Sequence, residues 1–228
     1  MRCAEHPFAC WLGLVALAAA VFGLWPAIDP AVTRVFWVDG GFPLAGSGAL
    51  NLLREALWDA SLGLFAIAVA MTGWTLWRGP LRGIGPRVWG FVAGLYLLGP
   101  GLLVNGILKN NWGRARPAQT LDFGGQADFT PFWQITDQCR SNCSFVSGEG
   151  SAAVALAVSV FVLLAALRPQ PATGLRRALQ ALALVLAAAG LFQRLATGRH
   201  FLSDTVFAVL VVAGVALVLR RLLLRRAG

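Results

Sequence analysis

Charged side chains are scarce in this 228-residue chain: Asp, Glu, Lys and Arg make up 13% of it, against 57% hydrophobic residues. Soluble domains carry about a quarter charged residues, so this scarcity, with a mean hydropathy of +0.69, argues against a water-soluble fold. Lysine is almost missing, Lys109 being the one lysine among 19 basic residues, and histidine occurs twice. The 26 glycines and 11 prolines are scattered without a period, which excludes collagen and coiled-coil architectures. Acids number 10, leaving a formal charge of +9. The arginines that carry it fall in short clusters between apolar runs and form no single basic face, a pattern that fits membrane topology and not a nucleic-acid partner. The abundance of aromatics, 14 Phe and 9 Trp, excludes disorder.

What is present is a series of apolar runs. Six are long enough to cross a bilayer: Ala9 to Ile28, Leu57 to Trp77, Val88 to Leu108, Ser151 to Leu167, Ala178 to Phe192 and Phe201 to Leu219. The expectation is an all-α, polytopic membrane protein, residues 1–228 forming one bundle of six transmembrane helices. The first run also has the layout of a signal peptide, with small residues near Ala27 and Ala31, but Arg2 is its only positive flank, and it is read as a span. Eleven basic residues lie on the side of the termini, among them Arg78, Arg82, Arg87, Arg168, Arg176 and Arg177, and eight on the other. The positive-inside rule then places both termini in the cytoplasm and the polar stretch 109–150 outside, on the same face as the turn from Arg194 to His200.

Three polar segments on that face carry the candidate chemistry. Lys109, Arg114 and Arg116 put three cations in eight positions at a membrane boundary, a set suited to a tetrahedral phosphate; a juxtamembrane anchor for lipid head groups is the plainer alternative. Ser147, Gly148 and Glu149 open the fourth span, where a helix N-terminus offers unpaired N–H groups to an anion; an ordinary N-cap explains the same residues. Arg194, His200 and Asp204 straddle the entry to the sixth span. With His200 and Asp204 four apart, on one face of a helix, the carboxylate can hold one ring nitrogen and leave the other as a nucleophile. A structural ion pair is the alternative, but an Asp placed in a membrane helix demands a partner or a water-lined site. Cys139 and Cys143, in C-x-x-x-C spacing, fit either a small disulfide in an oxidising compartment or two free thiols, and a zinc site would need two more soft ligands that are not nearby. No metal site or cofactor is expected.

Together these segments resemble the type 2 phosphatidic acid phosphatase superfamily, whose signature is K-x6-R-P, then P-S-G-H, then S-R-x5-H-x3-D. The first motif matches at Lys109, Arg116 and Pro117, and the third at Arg194, His200 and Asp204, with Gln193 in place of Ser. The middle one matches at Ser147 and Gly148, with Val146 for Pro and Glu149 for His. The resemblance implies a metal-independent lipid phosphatase working through a phosphohistidine on His200. In it, Asp204 orients the nucleophile; Lys109, Arg116, Arg194, Ser147 and the Gly148 amide hold the phosphate; and Glu149 stands where the family's acid protonates the leaving oxygen. The Cys-containing loop running into Ser144-Phe-Val-Ser-Gly-Glu149 looks most like bacterial envelope enzymes that act on lipid A, in the inner membrane with the active site facing the periplasm. Undecaprenyl pyrophosphate, phosphatidylglycerophosphate and phosphatidic acid stay open as substrates, as does a catalytically silent lipid-phosphate-binding protein. Phe123, Phe129, Phe132 and Trp133 of the exported loop fit either an acyl-chain entrance or simple loop packing. The oligomeric state is not legible in the sequence.

Overall fold

The computed structural model describes residues 5–224. Six of its seven helices are long and apolar enough to span a membrane: α1 (Pro7–Leu24), α3 (Gly48–Arg78), α4 (Pro86–Asn111), α5 (Gly148–Ala166), α6 (Thr173–Ala196) and α7 (Leu202–Leu224). The seventh, α2 (Ile28–Arg34), is a short helix between α1 and α3. The all-α, six-span expectation holds, but its boundaries shift where polarity was taken for a helix end. The first span stops at Leu24, before Trp25 and Pro26, so Ile28 belongs to α2. The second begins nine residues earlier than Leu57, with the Ser47 hydroxyl accepting from the Leu50 amide as its N-cap. At 1.5 Å per residue, the 31 residues of α3 extend about 46 Å, beyond a hydrocarbon core of about 30 Å, so its first turns, with Arg54, Glu55 and Asp59, can stand above the lipid.

The ordering of the bundle follows side-chain size. α5 buries Ser151, Ala152, Ala153, Ala155, Ala157 and Ser159, which lets neighbouring backbones approach closely, and it packs on α6, α7, α3 and α4. Gly190 of α6 sits where a Cβ would fall 2.9 Å from Leu57 of α3 and 3.3 Å from Ala153 of α5. α1 is the most lipid-exposed span and packs on α7. In α4 the stretch Leu97–Leu108 widens into a π-helix around Pro100, which has no N–H for the helix ladder. Asn105 repairs part of that ladder by donating from Nδ2 to the Pro100 carbonyl at 2.7 Å.

The segment between α4 and α5 is folded down over the bundle. Gly113 adopts φ +67° with the Thr136 carbonyl where a side chain would stand, so only glycine fits there. Trp112 donates from its indole to the Phe132 carbonyl. Phe132 stacks on Phe207 of α7 at 4.6 Å between centroids, and Phe129 sits edge-on to Phe201 at 5.2 Å. Phe123 is buried against Trp37 and Phe42. Phe132 thus packs the loop onto α7, Phe129 onto the turn before α7 and Phe123 onto the connection between α2 and α3, and Trp133 alone of the four is exposed.

Candidate active site

The three polar segments meet at one end of the bundle, where α3, α5 and α7 begin and α4 and α6 finish. The link between them that sequence spacing did not reveal is Arg114. Its guanidinium is fully buried and pairs with Asp204 Oδ1 at 2.6 Å and Asp29 Oδ2 at 2.7 Å, while its Nε donates to the Thr130 carbonyl. The Phe201 ring lies 4.4 Å beneath it. Asp29 in turn accepts from the Ser203 amide at 2.8 Å and from the Ser203 hydroxyl. Arg114 thus belongs to a closed internal network of buried partners and is not free to meet a phosphate.

His200 does not share a helical face with Asp204, because α7 starts only at Leu202 and His200 lies in the turn before it. Its Nδ1 is 2.8 Å from the Ser144 carbonyl and 3.7 Å from Asp204 Oδ2. A carbonyl can only accept, so Nδ1 carries the proton and Nε2 is left with a free lone pair. The carboxylate acts one residue removed: Asp204 Oδ2 accepts from the Ser144 hydroxyl and from the Phe201 amide, fixing the two segments that hold the ring. Burial pushes His200 down to about 3, with Lys109 and Arg194 adding to the effect and Asp204 opposing it. The imidazole is therefore neutral at physiological pH.

Around it stand the expected cations. Lys109, buried at the end of α4, donates from Nζ to Asn142 Oδ1 at 2.8 Å, and Arg116 donates from Nη2 to the Asn142 carbonyl at 2.8 Å. Arg194, buried in the last turn of α6, reaches Glu149 Oε2 at 2.9 Å and Gln193 Oε1 at 3.1 Å. Its buried Nε has no hydrogen-bond partner among the described residues. Glu149 also meets Arg54 of α3 at 3.3 Å, a residue the motifs do not include. Ser147 caps α5, its hydroxyl accepting from the Gly150 amide at 3.1 Å. A Cβ on Gly148 would fall 2.7 Å from Asn105 Oδ1, so a larger residue there would have to displace that amide. Cys139 and Cys143 form a disulfide. Among the described residues no group of three His, Cys, Asp or Glu side chains is placed to bind a metal.

Asp29, Arg54, Asn142 and Ser144 are the residues that motif reading passed over. Asp29 alone left a trace in the sequence, as an isolated acid among the apolar residues that follow the first span.

Comparison with known proteins places the chain among membrane phosphatases. The chain is 32% identical over 206 residues to a lipid A 4'-phosphatase of Rhizobium leguminosarum, covering 82% of this chain and 83% of that one. To a lipid A 4'-phosphatase of Rhizobium etli it is 33% identical over 204 residues, with 81% and 75% covered. A lipid A 4'-phosphatase of Francisella tularensis subsp. novicida shares 38% identity over 123 residues, 54% of this chain and 52% of that one. In fold, the chain resembles the crystal structure of a transmembrane PAP2 type phosphatidylglycerolphosphate phosphatase from Bacillus subtilis, with a TM-score of 0.58 at 20% identity, covering 95% and 94% of the two chains. A profile of the PAP2 superfamily matches residues 87–227, the stretch that holds all three motifs. The chain belongs to the PAP2 superfamily.

Proposed function

We propose that this chain is a membrane lipid phosphatase that removes a phosphate from lipid A through a phosphohistidine on His200. The observation that carries the mechanism is the bond from His200 Nδ1 to the Ser144 carbonyl, which leaves Nε2 unprotonated beside a cluster of cations. In the first step Nε2 attacks phosphorus, the bond from phosphorus to the lipid oxygen breaks, and that oxygen takes a proton. In the second, water attacks phosphorus, the N–P bond breaks, and inorganic phosphate leaves. Lys109, Arg116 and Arg194 meet the negative charge on the phosphoryl oxygens, the task that dominates phosphoryl transfer. The unpartnered Nε of Arg194 supports its place in that set, since a buried guanidinium N–H calls for an acceptor. The Ser147 hydroxyl and the first amides of α5, including Gly148, complete the cradle.

Glu149 serves as the proton carrier. At rest its carboxylate bridges Arg54 and Arg194. A phosphate that takes over Arg194 brings its own proton, which passes to Glu149 and on to the leaving oxygen; the carboxylate then takes a proton from the attacking water. The choice of lipid A is supported by the names of the relatives. A periplasmic site in a bacterial inner membrane, with cytoplasmic termini, is supported by Arg78, Arg82, Arg87, Arg168, Arg176 and Arg177 at the far end of the spans, and by a closed disulfide at the site end.

The test is phosphate release by purified protein from lipid A, phosphatidylglycerophosphate, phosphatidic acid and undecaprenyl pyrophosphate, joined to rapid acid-sensitive trapping of labelled enzyme. Lipid A should be turned over fastest, and His200→Ala should remove both turnover and label. Label surviving in His200→Ala, or preference for another lipid, would overturn the corresponding half of the reading.

A further inference from the structure

Lys109 and Arg116 are long, flexible cations separated by the non-helical stretch 112–115, and nothing in their own segment holds their charged ends together. One residue does. Asn142 presents its side-chain oxygen to Lys109 Nζ and its backbone oxygen to Arg116 Nη2, each at 2.8 Å. It can face both because its backbone takes φ +51°, a left-handed conformation that asparagine tolerates better than most residues. Asn142 lies inside the five-residue ring closed by the Cys139–Cys143 disulfide. That ring and the residue after it are tied to the segment 109–116 by the Cys143 amide donating to the Lys109 carbonyl and the Ser144 amide donating to the Arg114 carbonyl at 2.8 Å.

We infer that Asn142 is a positioning residue that holds Lys109 and Arg116 as a pair facing the substrate phosphate, with the disulfide ring as its mount. The inference rests on the reading that these two cations bind phosphate. Its physical core is that both acceptors are neutral. A carboxylate at the same place would hold the cations equally well but cancel their charge and compete with the phosphate; an amide and a peptide carbonyl fix the geometry and leave the charge available. A residue that merely fastened the loop would have no need of neutrality, and the near-isosteric aspartate would serve as well.

Three forms of the full-length protein in detergent separate these cases: Asn142→Asp, Asn142→Gly and Cys139→Ser/Cys143→Ser, each assayed for KM, kcat and inhibition by orthovanadate as a phosphate mimic. Asn142→Asp should raise KM about tenfold or more and weaken vanadate inhibition in parallel, with kcat changed by less than about threefold. Asn142→Gly keeps the left-handed backbone and the carbonyl for Arg116, so its KM should rise less than that of Asn142→Asp. The double serine variant, and the parent after reduction with tris(carboxyethyl)phosphine, should show a rise in KM of the same kind; they carry the test alone if Asn142→Asp does not fold. KM and vanadate inhibition unchanged in these forms, or Asn142→Asp matching the parent while Asn142→Gly fails, would overturn the inference. Either result is read against a parent whose turnover depends on His200, so failure of the inference stays distinct from failure of the phosphohistidine reading.

Discussion

His200 illustrates how a side chain's protonation is set by its surroundings. Once unfolded, the imidazole titrates at its ordinary value of 6.5, whereas burial holds it down to about 3 in the fold. Below 6.5 the unfolded chain therefore binds a proton that the folded chain refuses, and stability falls as pH drops, flattening near 3. The loss from this group is about 1.4 kcal/mol per pH unit over that window. Thermal melting in detergent between pH 7 and pH 4 should show a steeper decline for the parent than for His200→Ala. The same depression keeps Nε2 unprotonated through the mildly acid range, so an acid limb in kcat near pH 6 would belong to another group. Motif spacing singled out His200 and Asp204, and the fold brings them within 3.7 Å of each other, though not on the one helical face that a separation of four suggests. The route from Asp204 to His200 through Ser144 was hidden, since it depends on residues 60 and 56 positions apart meeting in space.

At the scale of single elements, α5 and α2 each make a distinct prediction. Glu149 opens α5 between two arginines, and its contribution in the proposed role of proton carrier depends on how much help the leaving oxygen needs. Glu149→Gln should reduce kcat about a hundredfold or more on lipid phosphomonoesters, and far less on p-nitrophenyl phosphate, whose leaving group departs unprotonated. Equal losses on both would assign Glu149 to holding Arg54 and Arg194 in place. α2 has seven residues, too few to be stable alone, yet it delivers Asp29 to Arg114. Asp29→Asn would leave Arg114 short of half its compensating charge in a site closed to water, at a cost of about 3 to 5 kcal/mol. Its melting midpoint should fall well below the parent's, and measurable turnover should remain in the folded fraction at low temperature, because Asp29 is buried with its oxygens taken by Arg114 and Ser203 and has no place in the proposed phosphate cradle. Hydropathy located the spans well and their ends poorly. In α3 the pair Arg54 and Glu55 reads as a loop on a hydropathy scale, but a helix that rises past the lipid can carry charge without leaving the helical conformation.

Across the whole molecule, the site gathers positive charge from α3, α4, α6 and the loop before α5, and in the proposed mechanism these cations meet the phosphate where many phosphatases use metal ions. Activity should accordingly persist in excess EDTA on extensively dialysed protein; loss of turnover, restored by a divalent ion, would refute the metal-free mechanism. The overall architecture was legible because apolar runs of span length can do little else in a membrane, and the meeting of the three polar segments at one end of the bundle followed from the alternation of spans. The tertiary pairs were not legible, because Arg54–Glu149, Arg114–Asp29 and Asn142 with its two cations link segments that carry no shared periodicity.

The pair between Arg114 and Asp29 also bears on how this protein can be divided. The superfamily profile begins at residue 87, and α3 and α4 are joined at the end of the bundle farthest from the site by the short connection 79–85. A gene cut within that connection would leave every superfamily motif on the second fragment and Asp29 and Arg54 on the first. Each half, inserted alone, would be an incomplete enzyme, the second with a buried guanidinium missing a counter-charge. Activity would return only where both fragments meet in one bilayer, which makes the protein a natural candidate for a split reporter of co-insertion.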